Sequence, residues 1–175
     1  MNAPSSLLLV RGQSVPIGSH AGKTIYLAGD HRGFAMKERL KRHLRARGWK
    51  VVDTGTHSPK RVDYPVVTAR AARPVSRSAG RRAVGIGVCG SGNGVSIVAA
   101  KLPGVLPAMP GSVAAAKEAR THNNTNFLSL SSDHMSIAEA FRIADAWLAE
   151  RFYTDPARDR PYLRRYLQTI KLDRK

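Results

Sequence analysis

This sequence predicts an α/β fold, a parallel sheet with helices on both faces, and three observations carry the prediction. Short apolar runs alternate with segments of helical period. Glycine, proline and serine punctuate the joints between them. Several of the residues with chemistry to offer stand directly after an apolar run, which in such folds is the carboxyl end of a strand, where ligands bind.

The first run, Thr24 to Ala28, leads into the turn Gly29-Asp30-His31-Arg32-Gly33. Phe34 to Arg47 has helical spacing, with Phe34, Met36, Leu40 and Leu44 on one broad face, and Gly48 stops it. Trp49 to Asp53 reads as a second strand. Asp63-Tyr64-Pro65 opens a helix to about Ala72, the proline suiting a first turn. Ala83 to Val88 is the third strand, Val95 to Lys101 a helix ended by Pro103-Gly104, and Val105 to Met109 a short fourth strand. Ser112 caps a helix to Thr121, and Phe127 to Leu130 is the fifth strand. Ser136 to Arg151 is amphipathic through Ile137, Ala140, Phe141, Ala144 and Leu148, and Pro161 to Leu172 is a last, basic helix. Five parallel strands in one domain, residues 24–175, follow from this order. Residues 1–23, rich in Ser, Gly and Pro, read as a flexible N-terminal extension; the run Leu7 to Val10 is too short for a signal-peptide core.

The 175 residues suffice for one core, and 42% hydrophobic content is that of a globular protein. No apolar run approaches a membrane span. A single cysteine excludes an intramolecular disulfide and fits a reducing, cytoplasmic location. The formal charge of +17 collects in Lys37 to Lys50, Arg70 to Arg82 and Arg151 to Lys175. Solvated helix faces account for it most simply; an anionic small molecule such as a sugar phosphate is a sharper reading. Nucleic acid is the weakest of the three, because no zinc-ligand pairs or base-stacking aromatic strand accompany the charge.

The segment Gly85 to Gly94 holds that cysteine, Cys89, at the end of an apolar run and before three alternating glycines. Glycine lets backbone N–H groups converge on one point, which binds an anion or a developing oxyanion. A thiol beside such donors is a candidate base or nucleophile, whereas a free cysteine is often only a small buried hydrophobe. The loop lacks the dinucleotide fingerprint and the Lys-Ser/Thr ending of a nucleotide P-loop. Asp30-His31 pairs a proton-carrying carboxylate with an imidazole, unless Asp30 only caps the next helix. Thr121-His122-Asn123-Asn124-Thr125-Asn126 sets polar groups directly before a strand, with His122 a candidate acid or base. Arg160 and Arg164, four apart on one helical face, can grip a phosphate or simply be solvated.

Together these segments resemble the B type of ribose-5-phosphate isomerase and the related galactose-6-phosphate isomerase subunits. The resemblance runs from about Thr24 to Ile170. It is carried in order by Asp30-His31 with Gly33-Phe34 and Lys37, Asp53-Thr54-Gly55-Thr56, Asp63-Tyr64-Pro65, Cys89-Gly90-Ser91-Gly92-Asn93-Gly94, His122 to Asn126, Ala146-Trp147-Leu148 and the paired arginines. It implies a Rossmann-like three-layer α/β/α sandwich, usually a homodimer and sometimes a tetramer, with active sites at the subunit interface. It implies an aldose–ketose isomerase of carbohydrate metabolism, by default on ribose 5-phosphate and ribulose 5-phosphate of the pentose phosphate pathway, working through an enediolate without metal or organic cofactor.

The resemblance makes Cys89 the base between carbons 1 and 2, with Ser91 on the reacting oxygens. Gly90, Gly92, Asn93 and Gly94 would stabilise the enediolate; Asp30 and His122 would serve ring opening and hydroxyl protons. Tyr64 and Asn123 would contact the sugar, and His31, Arg160 and Arg164 the phosphate. The chain also departs from the family. Asp133 stands where an arginine commonly binds phosphate, and an acid there would repel it. Leu106 replaces another frequent arginine, and the stretch Met109 to Ala114 differs. Arg32, larger than the usual residue, offers compensating charge. Asp133 is therefore a specificity candidate. It motivates a different substrate, a tetrose or hexose phosphate or an unphosphorylated sugar; a non-catalytic sugar-phosphate-binding partner subunit is a further reading.

Overall fold

The computed structural model describes residues 7–10, 13–16, 18–78, 80–153 and 155–174. The main sheet contains five strands, β3 (Thr24–Gly29), β4 (Val51–Asp53), β5 (Ala83–Cys89), β6 (Pro107–Ala108) and β7 (Phe127–Ser131), after a separate pair, β1 (Leu7–Val10) and β2 (Gln13–Pro16). Every pairing in the five-stranded sheet is parallel, in the order β4-β3-β5-β7-β6. The strand order reverses between β3 and β5, so the ends of those two strands flank the switch point.

Alternation along the strands explains the layers, since successive side chains point to opposite faces. Ile25 and Leu27 of β3 and Leu128 and Leu130 of β7 face helices α1 (Phe34–Ala46), α4 (Val113–Thr121) and α5 (Ile137–Ala149). Ala28 and Phe127 face α2 (Tyr64–Ser78) and α3 (Asn93–Ala100). The result is the three-layer α/β/α sandwich. Met36, Leu40 and Leu44 of α1 are all buried, as their spacing predicts. α5 opens with a full capping box, the Ser136 side chain accepting from Glu139 N–H and Glu139 reaching back.

Several boundaries differ from the sequence reading: β4 and β6 are shorter than the runs Trp49 to Asp53 and Val105 to Met109, α5 ends at Ala149, and three other helices start or end elsewhere. α2 continues past Ala72 to Ser78, because the buried stripe Val67, Ala71, Val75 extends through it and Pro74 is carried inside the helix. α3 begins at Asn93 rather than Val95. The last helix, α6 (Pro156–Ile170), starts a turn before Pro161. Asp155 caps it, accepting from Ala157 and Arg158 N–H, and Pro156 takes the first helical position, so the real start repeats the signal that Pro161 offered.

Regular structure also occurs in the stretch read as an extension. β1 and β2 pair antiparallel from Leu7↔Pro16 to Val10↔Gln13. Gly18 exchanges backbone hydrogen bonds with Phe152, and His20 and Lys23 are buried. α6 packs Leu163 and Tyr166 on Phe152, with Leu106 alongside. Leu106 immediately precedes β6, so α6 lies at the amino end of the sheet.

Candidate active site

β5 ends in Cys89, buried with 4% of its surface exposed. Its sulfur accepts the Gly92 N–H at 3.2 Å, which fixes the thiol at the mouth of the loop. Gly92 has φ +81°, a conformation that favours glycine, and this turns the chain into α3. Ser91 Oγ accepts the Asn93 N–H at 3.3 Å. The N–H groups of Ser91 and Gly94 have no acceptor among the described residues and remain available to a ligand. The Tyr64 ring, at the start of α2, lies against Gly94.

The neighbouring strand β3 delivers Asp30 beside this loop, its N–H donating to Val88 O at 3.3 Å. Asp30 Oδ1 accepts the Gly33 N–H at 2.9 Å, which closes the turn before α1; the N-cap of that helix is Gly33 and no side chain caps it, so Asp30 is not the helix cap. Its second oxygen has no partner among the described residues, so the carboxylate is also free to act. His31 Nδ1 lies 3.2 Å from Val62 O and 3.4 Å from Val62 N, which ties the ring to the loop before α2.

Two serines that the sequence did not single out hold the loop from the β7 side. Ser131 Oγ donates to Gly90 O at 2.6 Å, and Ser132 donates to Cys89 O through both its N–H (2.9 Å) and its hydroxyl (3.1 Å). Their signal was positional, two hydroxyls directly after an apolar strand. Asp133 follows, and its carboxylate meets Arg32 Nη2 at 2.6 Å. The repulsion expected from Asp133 is therefore offset by a guanidinium from the β3–α1 turn.

The remaining predicted residues lie elsewhere in the chain. His122 and Asn123 precede β7, and Arg160 and Arg164 lie exposed on α6. The His122 ring stacks on Tyr162 of α6, centroids 4.2 Å apart. Asn123 lines a cavity of about 290 Å³ with Leu106, Arg165 and Tyr166. β5 and β7 pair Gly85 with Phe127 and Cys89 with Ser131. Four residue steps, about 13 Å, thus separate the level of the His122 turn from that of the thiol. The predicted residues thus fall into two separate groups, Asp30, His31, Tyr64 and the Cys89 loop at the carboxyl end, and His122, Asn123, Arg160 and Arg164 at the amino end. Among the described residues no group of three or more His, Cys, Asp or Glu side chains is placed to hold a metal ion. No helix among them is long and apolar enough to cross a membrane.

A thiol and a carboxylate on adjacent strand ends, over a loop that offers backbone N–H groups, define an α/β protein equipped for proton transfer on a small molecule. The model of the ribose/galactose isomerase family matches residues 25–161. Ribose-5-phosphate isomerase B of Escherichia coli (strain K12) is 37% identical over 130 residues, covering 74% of this chain and 86% of that protein. The Mycobacterium tuberculosis (strain H37Rv) protein of that name is 36% identical over 129 residues, covering 73% and 78%. Among solved structures, ribose-5-phosphate isomerase B of Mycoplasma genitalium with bound ribulose 5-phosphate superposes with a TM-score of 0.80 at 32% identity, covering 87% of this chain and 97% of that one. The chain belongs to the ribose/galactose isomerase family.

Proposed function

We propose that this protein interconverts ribose 5-phosphate and ribulose 5-phosphate by cofactor-free proton transfer through an enediolate. The observation that carries the reading is the Cys89 thiol at the switch point, with the Gly92 N–H on its sulfur and the Asp30 carboxylate on the next strand. The family relatives' names supply the substrate pair. Cys89 removes the proton from one of carbons 1 and 2 and returns it to the other. A carbon acid beside a carbonyl loses its proton rapidly only if the enediolate is stabilised. The free N–H groups of Ser91 and Gly94 and the Ser91 hydroxyl serve that charge. Asp30 handles the ring-opening and hydroxyl protons, and His31 contacts the phosphate.

The other group is best supplied by a second copy of the chain. His122 would complete acid–base catalysis, Asn123 would bind sugar hydroxyls, and Arg160 and Arg164 would bind the phosphate across the interface. Exposed apolar side chains flank the Cys89 loop, Tyr64 at 40%, Met109 at 44% and Ile97 at 59% exposure, a surface suited to burial against a partner. The test is turnover of ribose 5-phosphate by wild type and Cys89→Ala. Loss of a positioned base costs about 10²–10⁴-fold, with circular dichroism unchanged; undiminished turnover in the variant refutes the mechanism. Tetrose and hexose phosphates and free ribose in the same panel test the substrate assignment.

A further inference from the structure

We propose that Arg32 is a specificity-determining residue that takes the dianionic end of the substrate, and that Asp133 holds it over the Cys89 loop until that end arrives. The proposal rests on the isomerase reading above and adds to it a residue and a selection rule.

Arg32 lies in the turn after β3 and Asp133 in the turn after β7, 101 positions away. Their ion pair crosses the backbone of the residue that follows the thiol. A methyl group built on Gly90 would lie 2.8 Å from Arg32 Nε and 2.9 Å from Asp133 Oδ2. The acid is anchored to the loop it covers, since Asp133 N–H donates to Gly90 O at 3.0 Å. Arg32 has no comparable anchor. Among the described residues, Asp133 is the only hydrogen-bond partner of its side chain, so four of the five guanidinium N–H groups are unused.

Exposure decides how easily the pair opens. Arg32 is 60% and Asp133 32% exposed. An exposed pair holds its partners only a few-fold better than water does. A phosphate ester brings up to two charges and three acceptor oxygens and can bind guanidinium through two parallel bonds. It outcompetes one carboxylate, and Asp133 can then face solvent without being buried unpaired. A single carboxylate or a neutral sugar end has no such advantage. The pair is thus a threshold: it admits dianions to Arg32 and turns away weaker acceptors, while neutralising the guanidinium in the free enzyme.

Calorimetric binding of ribose 5-phosphate, inorganic phosphate and ribose to the full chain tests this without turnover. A failure of the isomerase reading, which appears as absent turnover by wild type, is therefore separately legible. Arg32→Gln should weaken ribose 5-phosphate and phosphate by about tenfold or more, the worth of a charged hydrogen bond, and leave ribose unaffected. Arg32→Lys should fall between. Asp133→Asn should tighten both anions by about two- to fivefold, a gain that high salt removes. The proposal is overturned if Arg32→Gln binds ribose 5-phosphate within twofold of wild type, if it loses ribose equally, or if Asp133→Asn weakens the anions.

Discussion

Mixing two inactive variants should restore activity if the reacting groups come from two chains. Cys89→Ala lacks the thiol and keeps the His122 turn; His122→Ala is the reverse. Their levels in one chain are about 13 Å apart along β5 and β7, beyond the roughly 3 Å reach that proton transfer requires. In a mixed dimer, one site combines the intact thiol of one chain with the intact imidazole of the other, and the second site lacks both. Equal mixing with random pairing makes half the dimers mixed, so about a quarter of wild-type turnover should return. The assay is ribulose 5-phosphate formation after co-refolding, with native mass spectrometry to count mixed dimers. Mixed dimers without recovered turnover would refute the shared site. A tetramer built from such dimers gives the same fraction.

Other expectations concern what supports the site. Lys37 is fully buried with its ammonium 2.6 Å from Asp53 Oδ2, and Lys41 shares that oxygen. Lys37 also meets Glu38 Oε1 at 2.6 Å, but Asp53 is the more buried of its two acids; Asp53→Asn should therefore destabilise the protein by about 3 kcal/mol, as read by urea unfolding, and a loss below about 1 kcal/mol would show that Glu38 alone suffices. Burial, and then the charge of Arg120, lower the Lys23 pKa to about 7 in the folded protein. The folded state then binds fewer protons than the unfolded chain between pH 7 and the ordinary lysine value, so stability should rise with pH across that window. The slope from this group reaches about 1.4 kcal/mol per pH unit. Lys23→Met should flatten that slope between pH 7 and 9 and raise stability most at and below pH 7; an unchanged slope would assign it elsewhere. Gly33→Ala should be worse than Gly90→Ala. A Cβ on Gly33 would strike the Val88 backbone, whereas one on Gly90 meets the movable ends of Arg32 and Asp133; equal losses in thermal unfolding would contradict this.

The order of the sheet elements and the Cys89 loop were legible because both are local. Alternating apolar residues, a terminal cysteine and spaced glycines lie within one strand and turn. The separation of the candidate residues into two groups was legible in principle. In a parallel sheet, residues that follow strands share one end, and His122 to Asn126 precede a strand, so they belong to the other. The Arg32–Asp133 pair was not legible as a contact, because a separation of 101 positions leaves no local pattern. Asp133 stood out as a misplaced acid, but only the folded chain shows that its charge is met.

The stretch before β3 shows the same limit from the other side. Its composition says nothing of a core, yet His20 and Lys23 are buried beside Arg120, itself 1% exposed. Arg120 donates to Asn124 Oδ1 at 2.8 Å, to Thr125 O at 2.7 Å and to Gly18 O at 3.0 Å. One guanidinium therefore joins the turn that carries His122 and Asn123 to the segment entering β3. Among the described residues no carboxylate pairs with it, and its Nε has no hydrogen-bond partner. Burial lowers its pKa to about 9. A buried cation so placed is costly, and its contacts with backbone and amide oxygens fix the geometry of the turn, with Asn124 held at φ +52°. Trp147 Nε1 donates to Thr125 Oγ1 at 2.9 Å from the other side. The turn that carries His122 and Asn123 is thus set by buried groups from α4, α5 and residues 18–23, and its geometry depends on a segment that lies outside the family match at residues 25–161.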